Sequence, residues 1–171
     1  MMNLQIQNCQ MCPLNLKMPN GCYPCPGRGK EKFARLMFVA EKSDTVSCAL
    51  GESFSDVSGD FLQRILNDVG IDPDECYFTY LVKCNDFNPK AVRACSSWID
   101  QEIKAIQPDH IVSLGMKTAA FFLPKIKTFK DSLYQIYNNV LIAPSLHTIL
   151  NGSNKDLKVF SKKIKELYDV S

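Results

Sequence analysis

Several absences narrow the class of this 171-residue chain before any motif is considered. Its apolar runs, such as LMFVA at 36–40, are far too short to span a bilayer, so no membrane partner is expected. The opening residues MMNLQIQNC hold neither a basic cluster nor a long apolar stretch, and no secretion signal is read there. Net charge is also nearly missing: 20 Lys and Arg against 18 Asp and Glu leave a formal +2. Such a balance permits nucleic acid as a partner without arguing for it, because a near-neutral protein can carry a local basic patch. Internal repeats, low-complexity tracts and linkers are lacking, so one domain over 1–171, cytoplasmic and monomeric, is the expectation.

Hydrophobic residues at 46% and charged residues at 22% are ordinary globular values, enough to bury a core. Cysteine is the unusual component. Eight are present, at 9, 12, 22, 25, 48, 76, 84 and 95, and none follows Cys95. With no secretory signal and ample apolar sequence, disulfide staples are not expected, and metal ligation is the better reading.

Residues 1–34 are rich in Cys, Pro, Gly and Lys without a sustained period, which predicts a loop-dominated segment. From Leu36 the pattern changes. Four short apolar runs, 36–40, 76–82, 110–114 and 140–143, read as strands of a parallel sheet covered on both faces. Between and after them, Phe61, Leu62, Ile65, Leu66 and Val69 recur at helical spacing. Val92 through Ile106 and Leu157 through Tyr168 do the same, with Gly70 and Pro108 as stops and Asn154 as a cap. The alternation predicts a three-layer αβα sandwich around a four-stranded parallel sheet. Ligands of such sheets sit beyond the carboxyl ends of the strands, in loops beginning near Glu41, Lys83, Gly115 and Pro144.

Two metal constellations compete. Cys9-Gln-Met-Cys12 and Cys22-Tyr-Pro-Cys25 together read as a compact zinc knuckle. The other set joins Cys9 and Cys12 to Cys84 and Cys95, and four thiolates from separate elements suit an iron–sulfur cubane.

The Cys9–Leu14 segment, LMFVAE, Gly51-Glu-Ser-Phe54 with Ser58-Gly59, LVKC ending at Cys84, and Cys95 before WIDQEIKAIQPDHIVSLG resemble the family-four uracil-DNA glycosylases. The resemblance runs from about Cys9 to His147 and implies an iron–sulfur enzyme with a four-stranded parallel αβα fold that excises a base from DNA. It implies Cys9, Cys12, Cys84 and Cys95 as ligands of a [4Fe–4S] cluster, with a trimmed loop between the last two. This set is preferred, since it alone places a C-x-x-C pair and two remote cysteines in one sheet fold. Cys22 and Cys25 then remain as plain thiols or a second metal pair, while Cys48 and Cys76 read as small core or loop residues.

Base excision passes through an oxocarbenium-like sugar while negative charge grows on the departing base. The flipped base must also be held in a pocket. The family meets these needs with a Gly-Glu-Ala-Pro-Gly loop, a stacking Phe, a base-reading Asn and a His-Pro-Ser loop. Here the first loop reads Ala40-Glu41-Lys42-Ser43-Asp44, keeping the acid and losing Gly and Pro. Glu41, with Asp44 assisting, is the candidate to position water or stabilise the cation. The alternative is a solvent-exposed carboxylate paired with Lys42. Phe54 matches the stacking aromatic, with an ordinary core role as its alternative. Tyr80 stands in place of the Asn and offers one hydroxyl where an amide offers donor and acceptor, so it either reshapes the pocket or blocks it. His147 matches the histidine that donates toward the base, but Thr148 and Ile149 replace the Pro and Ser that follow it. Ile149 or Leu150 is the candidate wedge, and the lysines at 155–165 are a solvated helix face or phosphate contacts. A non-catalytic iron–sulfur protein that binds DNA or a partner is the rival expectation.

Overall fold

A computed structural model describes residues 2–125 and 128–171. The strands are β1 (Arg28–Gly29), β2 (Leu36–Lys42), β3 (Cys76–Val82), β4 (His110–Leu114), β5 (Ile136–Tyr137) and β6 (Val140–Ala143). The helices are α1 (Met2–Gln7), α2 (Thr45–Leu50), α3 (Val57–Asp68), α4 (Pro89–Ile106), α5 (Met116–Phe122), α6 (Phe129–Ser132), α7 (Leu146–Leu150) and α8 (Asn154–Asp169).

The sheet order is β1-β3-β2-β4-β6-β5. Its central four strands are parallel and coincide with the four apolar runs. The expected count of four is corrected to six by two antiparallel edge strands of two residues each. Neither is long enough to show a period. The β5–β6 hairpin turns on Asn138 and Asn139, both at positive φ (49° and 64°), the geometry of a tight two-residue turn.

Alternation along the strands sorts the core into two layers. Leu36 and Phe38 of β2 pack with Phe78, Leu141 and the buried faces of α3, α7 and α8 (Leu62, Ile149 and Phe160 among them). Met37 and Val39 point the other way, against Tyr77, Leu81, Ile99 and Ile106. Each such side chain taken fully from water contributes about 1.5–3 kcal/mol. Every residue of β3 and β6 is buried, which is why those segments read as continuous apolar runs.

Register aligns the strand ends. Ala40 pairs with both Tyr80 and Leu114, and Leu114 pairs with Ala143, so all four parallel strands finish along one edge. The loops after them therefore share that edge. Helix ends follow local chemistry. Asp56 and Asn88 cap α3 and α4, Pro89 opens α4, and Gly70 at φ 68° follows α3. The cap of α8 is corrected from Asn154 to Ser153, which forms a reciprocal capping box with Asp156. Among the described residues no helix is long and apolar enough to cross a membrane.

Candidate active site

At the carboxyl edge a hollow of about 260 Å³ is lined by Glu41, Asp44, Phe54, Tyr80 and His147, together with Ser58 and Ser145. All five catalytic and base-pocket candidates read from the sequence therefore meet at one place.

Glu41 leaves the end of β2 and turns toward α5. Its carboxylate accepts from the Lys117 backbone N–H at 3.3 Å and lies 3.5 Å from the Lys117 ammonium. Lys117, and not Lys42, is its partner; the Lys42 ammonium donates instead to the Asn85 carbonyl at 2.6 Å. Gly115, at φ 104°, passes close beneath, and a Cβ there would sit 2.9 Å from Oε1 of Glu41. That close approach is what the glycine permits.

Asp44 caps α2: Oδ1 accepts from the Ser47 N–H at 2.8 Å, and Oδ2 accepts from the Tyr80 hydroxyl at 3.0 Å. Burial pushes this carboxyl up, but the hydrogen bonds from Ser47 and Tyr80 outweigh it and hold it below the usual range. Both oxygens are thus committed to protein donors, and Asp44 acts here as an anchor more than as a free acid.

Tyr80 is the best-held side chain of the hollow. Its hydroxyl also accepts from the Phe54 N–H at 3.0 Å and lies 3.1 Å from the Ser47 hydroxyl. Burial, with the Asp44 carboxylate adding to it, raises the phenol well above its ordinary range. Its ring stacks on Phe54 with centroids 4.9 Å apart and planes 2° from parallel. Phe54 is 3% exposed and belongs to the main core while also lining the hollow. It sits at φ 59°, a left-handed conformation that a bulky residue adopts only when its surroundings impose it. Arg28 donates to its carbonyl at 3.1 Å, and Gly59 packs against the same carbonyl with no room for a Cβ.

His147, exposed on the first turn of α7, faces the hollow. Ser145 caps that helix by accepting from the Thr148 N–H at 3.1 Å. Ile149 is corrected from wedge to core, being 2% exposed in the main cluster, whereas Leu150 is 41% exposed. A second hollow of about 430 Å³ shares Glu41 and Ser145 and extends past Thr148 to Asp156 at the start of α8. On α8, exposed Lys162 and half-buried Lys163 and Lys165 pair with Glu166 or Asp169. Lys155 and Lys158 make no salt bridge among the described residues and line a shallow surface with Lys162.

Four of the eight cysteines lie in one region. Cys12, Cys84 and Cys95 pack together with Leu14 and Val82. Cys9 lies beside them, its sulfur 3.3 Å from the Trp98 indole N–H, with Trp98 one turn beyond Cys95 on α4. The Cys84 thiol is pushed up to about 12 by burial and by the neighbouring Cys95, Cys12 and Cys9. Even so, among the described residues no group of three or more His, Cys, Asp and Glu side chains is set as a metal site. Cys22 is disulfide-bonded to Cys48, with Cα atoms 4.9 Å apart, which corrects the expectation of no disulfide. Cys25 is buried in the main core, 3.6 Å from the Ser53 hydroxyl. Neither Cys22 nor Cys25 joins Cys9 and Cys12, so the knuckle does not form.

Sequence reasoning missed Lys117, Ser47 and Arg28, which orient Glu41, Tyr80 and Phe54. It also missed a buried ion pair between Lys83 and Glu102. Only Lys83 gave a signal, as a lone charge at the end of a continuous apolar run.

A profile of the uracil DNA glycosylase superfamily matches residues 26–167. The chain is 28% identical to a type-4 uracil-DNA glycosylase of Saccharolobus solfataricus, over 95% of this chain and 82% of that protein. It is 31% identical to that of Archaeoglobus fulgidus, over 68% of this chain and 59% of the relative. For the protein of Thermotoga maritima the identity is 30%, over 70% and 62%. The chain belongs to the uracil DNA glycosylase superfamily and is family-four-like within it.

Proposed function

We propose that this protein hydrolyses the N-glycosidic bond of a deaminated or modified base in DNA, with uracil disfavoured. The observation that carries the reading is the convergence of Glu41, Phe54, Tyr80 and His147 on one hollow at the carboxyl edge of the sheet. Glu41, held from behind by Lys117, faces the position where a sugar cation develops, and a fixed carboxylate there is worth most in the transition state. His147 donates to the oxygen of the departing base. Tyr80 covers one face of the Phe54 ring, so a flipped base meets the phenol where an amide would read uracil.

The family resemblance assigns a [4Fe–4S] cluster to Cys9, Cys12, Cys84 and Cys95. In support, Cys12, Cys84 and Cys95 pack in one cluster with Cys9 beside it, drawn from the N-terminal segment, the end of β3 and α4. When bound, the cluster would pin the loop-rich N-terminal segment to the sheet, offsetting about 1–2 kcal/mol of backbone ordering per residue. DNA would cross the edge holding His147, with Lys155 and Lys158 on its phosphates.

A non-catalytic DNA-binding reading has its own support in the Tyr80–Phe54 stack, which fills the aromatic face with protein. Incubating cluster-loaded protein with oligonucleotides bearing uracil, hypoxanthine, xanthine or 5-hydroxymethyluracil, then cleaving abasic sites with alkali, separates the two. Excision of any of these supports the enzyme; DNA binding without excision supports the rival.

A further inference from the structure

Away from the hollow, a polar network lies wholly inside the protein. The Lys83 ammonium, 1% exposed, donates to Oε2 of the fully buried Glu102 at 2.6 Å and to Oγ1 of Thr79 at 2.6 Å. Oε1 of Glu102 accepts from the Tyr77 hydroxyl at 3.3 Å, from Thr79 Oγ1 at 3.1 Å and from the Gly27 backbone N–H at 3.2 Å. The glycosylase chemistry proposed above uses none of these groups.

Stability alone is a poor reason for such a pair. Desolvating two ions costs about what their attraction returns, and apolar residues of like volume often serve as well. What the network does do is tie three elements together: the N-terminal segment through Gly27, β3 through Tyr77 and Thr79 with Lys83 directly after its end, and α4 through Glu102. These are the elements that carry Cys9 and Cys12, Cys84, and Cys95. Lys83 directly precedes Cys84. Glu102 lies two turns beyond Cys95 on α4, hence on the same face. The Lys83 backbone adds a further tie to the N-terminal segment, its carbonyl accepting from the Cys25 N–H at 2.7 Å.

We propose that the Lys83–Glu102 pair is the positioning device of the four-thiol site. It locks β3 to α4 at the spacing that brings Cys84 and Cys95 together, and it fixes the ammonium of the residue directly before Cys84. The inference rests on the cluster reading. A positive charge near an anionic cluster stabilises the reduced form, so the pair also bears on reduction potential.

The test uses the full chain, reconstituted anaerobically with iron and sulfide. Three quantities are measured: iron per chain, the rate of iron loss to a chelator, and the cluster midpoint potential. Lys83→Met with Glu102→Leu removes both charges and keeps much of the volume. This double variant should lose iron several-fold faster than wild type and show a lower midpoint potential. Glu102→Gln, which leaves Lys83 uncompensated, should shift the potential the opposite way. A double variant with wild-type iron retention and potential overturns the proposal, because the pair would then be structural only. If the double variant does not fold, an unchanged potential in Glu102→Gln overturns it instead. A wild-type chain that takes up no iron removes the cluster reading itself, a result distinct from both.

Discussion

The Tyr80 ring lies flat against the Phe54 ring, centroids 4.9 Å apart and planes within 2° of parallel, and the Tyr80 hydroxyl accepts from the Phe54 backbone N–H at 3.0 Å. One side chain thus both covers the stacking aromatic and fixes its strained backbone. A base entering the hollow meets a surface the protein has partly filled for itself.

Separating the ring of Tyr80 from its hydroxyl tests that arrangement. Tyr80→Asn restores a donor and an acceptor and clears the covered face of Phe54. Uracil excision should rise about five- to a hundred-fold, the value of about 1–3 kcal/mol from one bidentate contact. The same change should lower stability by about 2–4 kcal/mol, from lost packing and lost hydrogen bonds. Tyr80→Phe keeps the ring in place and should give no gain in excision, at a cost of about 1–3 kcal/mol for the donors left unpaired. Single-turnover excision and urea unfolding measure the two effects. No gain from Tyr80→Asn in a folded protein would place the loss of chemistry in the Glu41 and His147 loops.

Asp44 predicts a pH dependence of stability. Its folded carboxyl titrates below the unfolded value of about 3.9. The stabilisation is therefore fully present above that value and is lost as pH falls through the folded one. Asp44→Asn keeps a capping oxygen but has no charge to titrate, so its unfolding free energy should fall less steeply below about pH 4. Urea unfolding of both proteins between about pH 2 and 6 checks this; equal acid slopes would contradict it.

The four parallel strands and the three long helices were legible because each buries a face or a run with its own period. The short edge strands were not, since Arg28–Gly29 and Ile136–Tyr137 are set by pairing with a neighbour and carry no pattern of their own. At the site, the lining residues could be read because they follow strand ends. Their partners could not: Lys117 reaches Glu41 across 76 positions and Arg28 reaches Phe54 across 26, contacts that only the fold creates. The Cys22–Cys48 disulfide was missed for a different reason. The Cys-x-x-Cys spacing suggested that Cys22 and Cys25 act together, whereas the chain turns Cys25 into the core.

DNA binding should depend steeply on salt, because phosphate contacts release counterions. Lys155→Glu with Lys158→Glu should weaken binding to all sequences about equally, since phosphates carry no base information. Fluorescence anisotropy across a salt series is the measurement. A loss confined to one sequence would rule out phosphate contact at these lysines.

Anaerobically purified protein should be brown, with broad absorbance and about four irons per chain. Cys84→Ser or Cys95→Ser should bleach it, whereas Cys25→Ser should not, because the Cys25 side chain belongs to the main core and not to the cluster of Cys12, Cys84 and Cys95. Stoichiometric zinc without iron, indifferent to Cys84→Ser, would contradict the cubane.

The most direct test of the whole account is single-turnover excision by cluster-loaded protein on the four base lesions, run beside His147→Ala. The account predicts abasic sites at one of the non-uracil bases faster than at uracil. It also predicts that His147→Ala abolishes them while leaving stability within about 0.5 kcal/mol, since His147 is an exposed side chain. Intact oligonucleotides throughout, with DNA bound and iron in place, would contradict it and leave a glycosylase fold that binds DNA without cutting it.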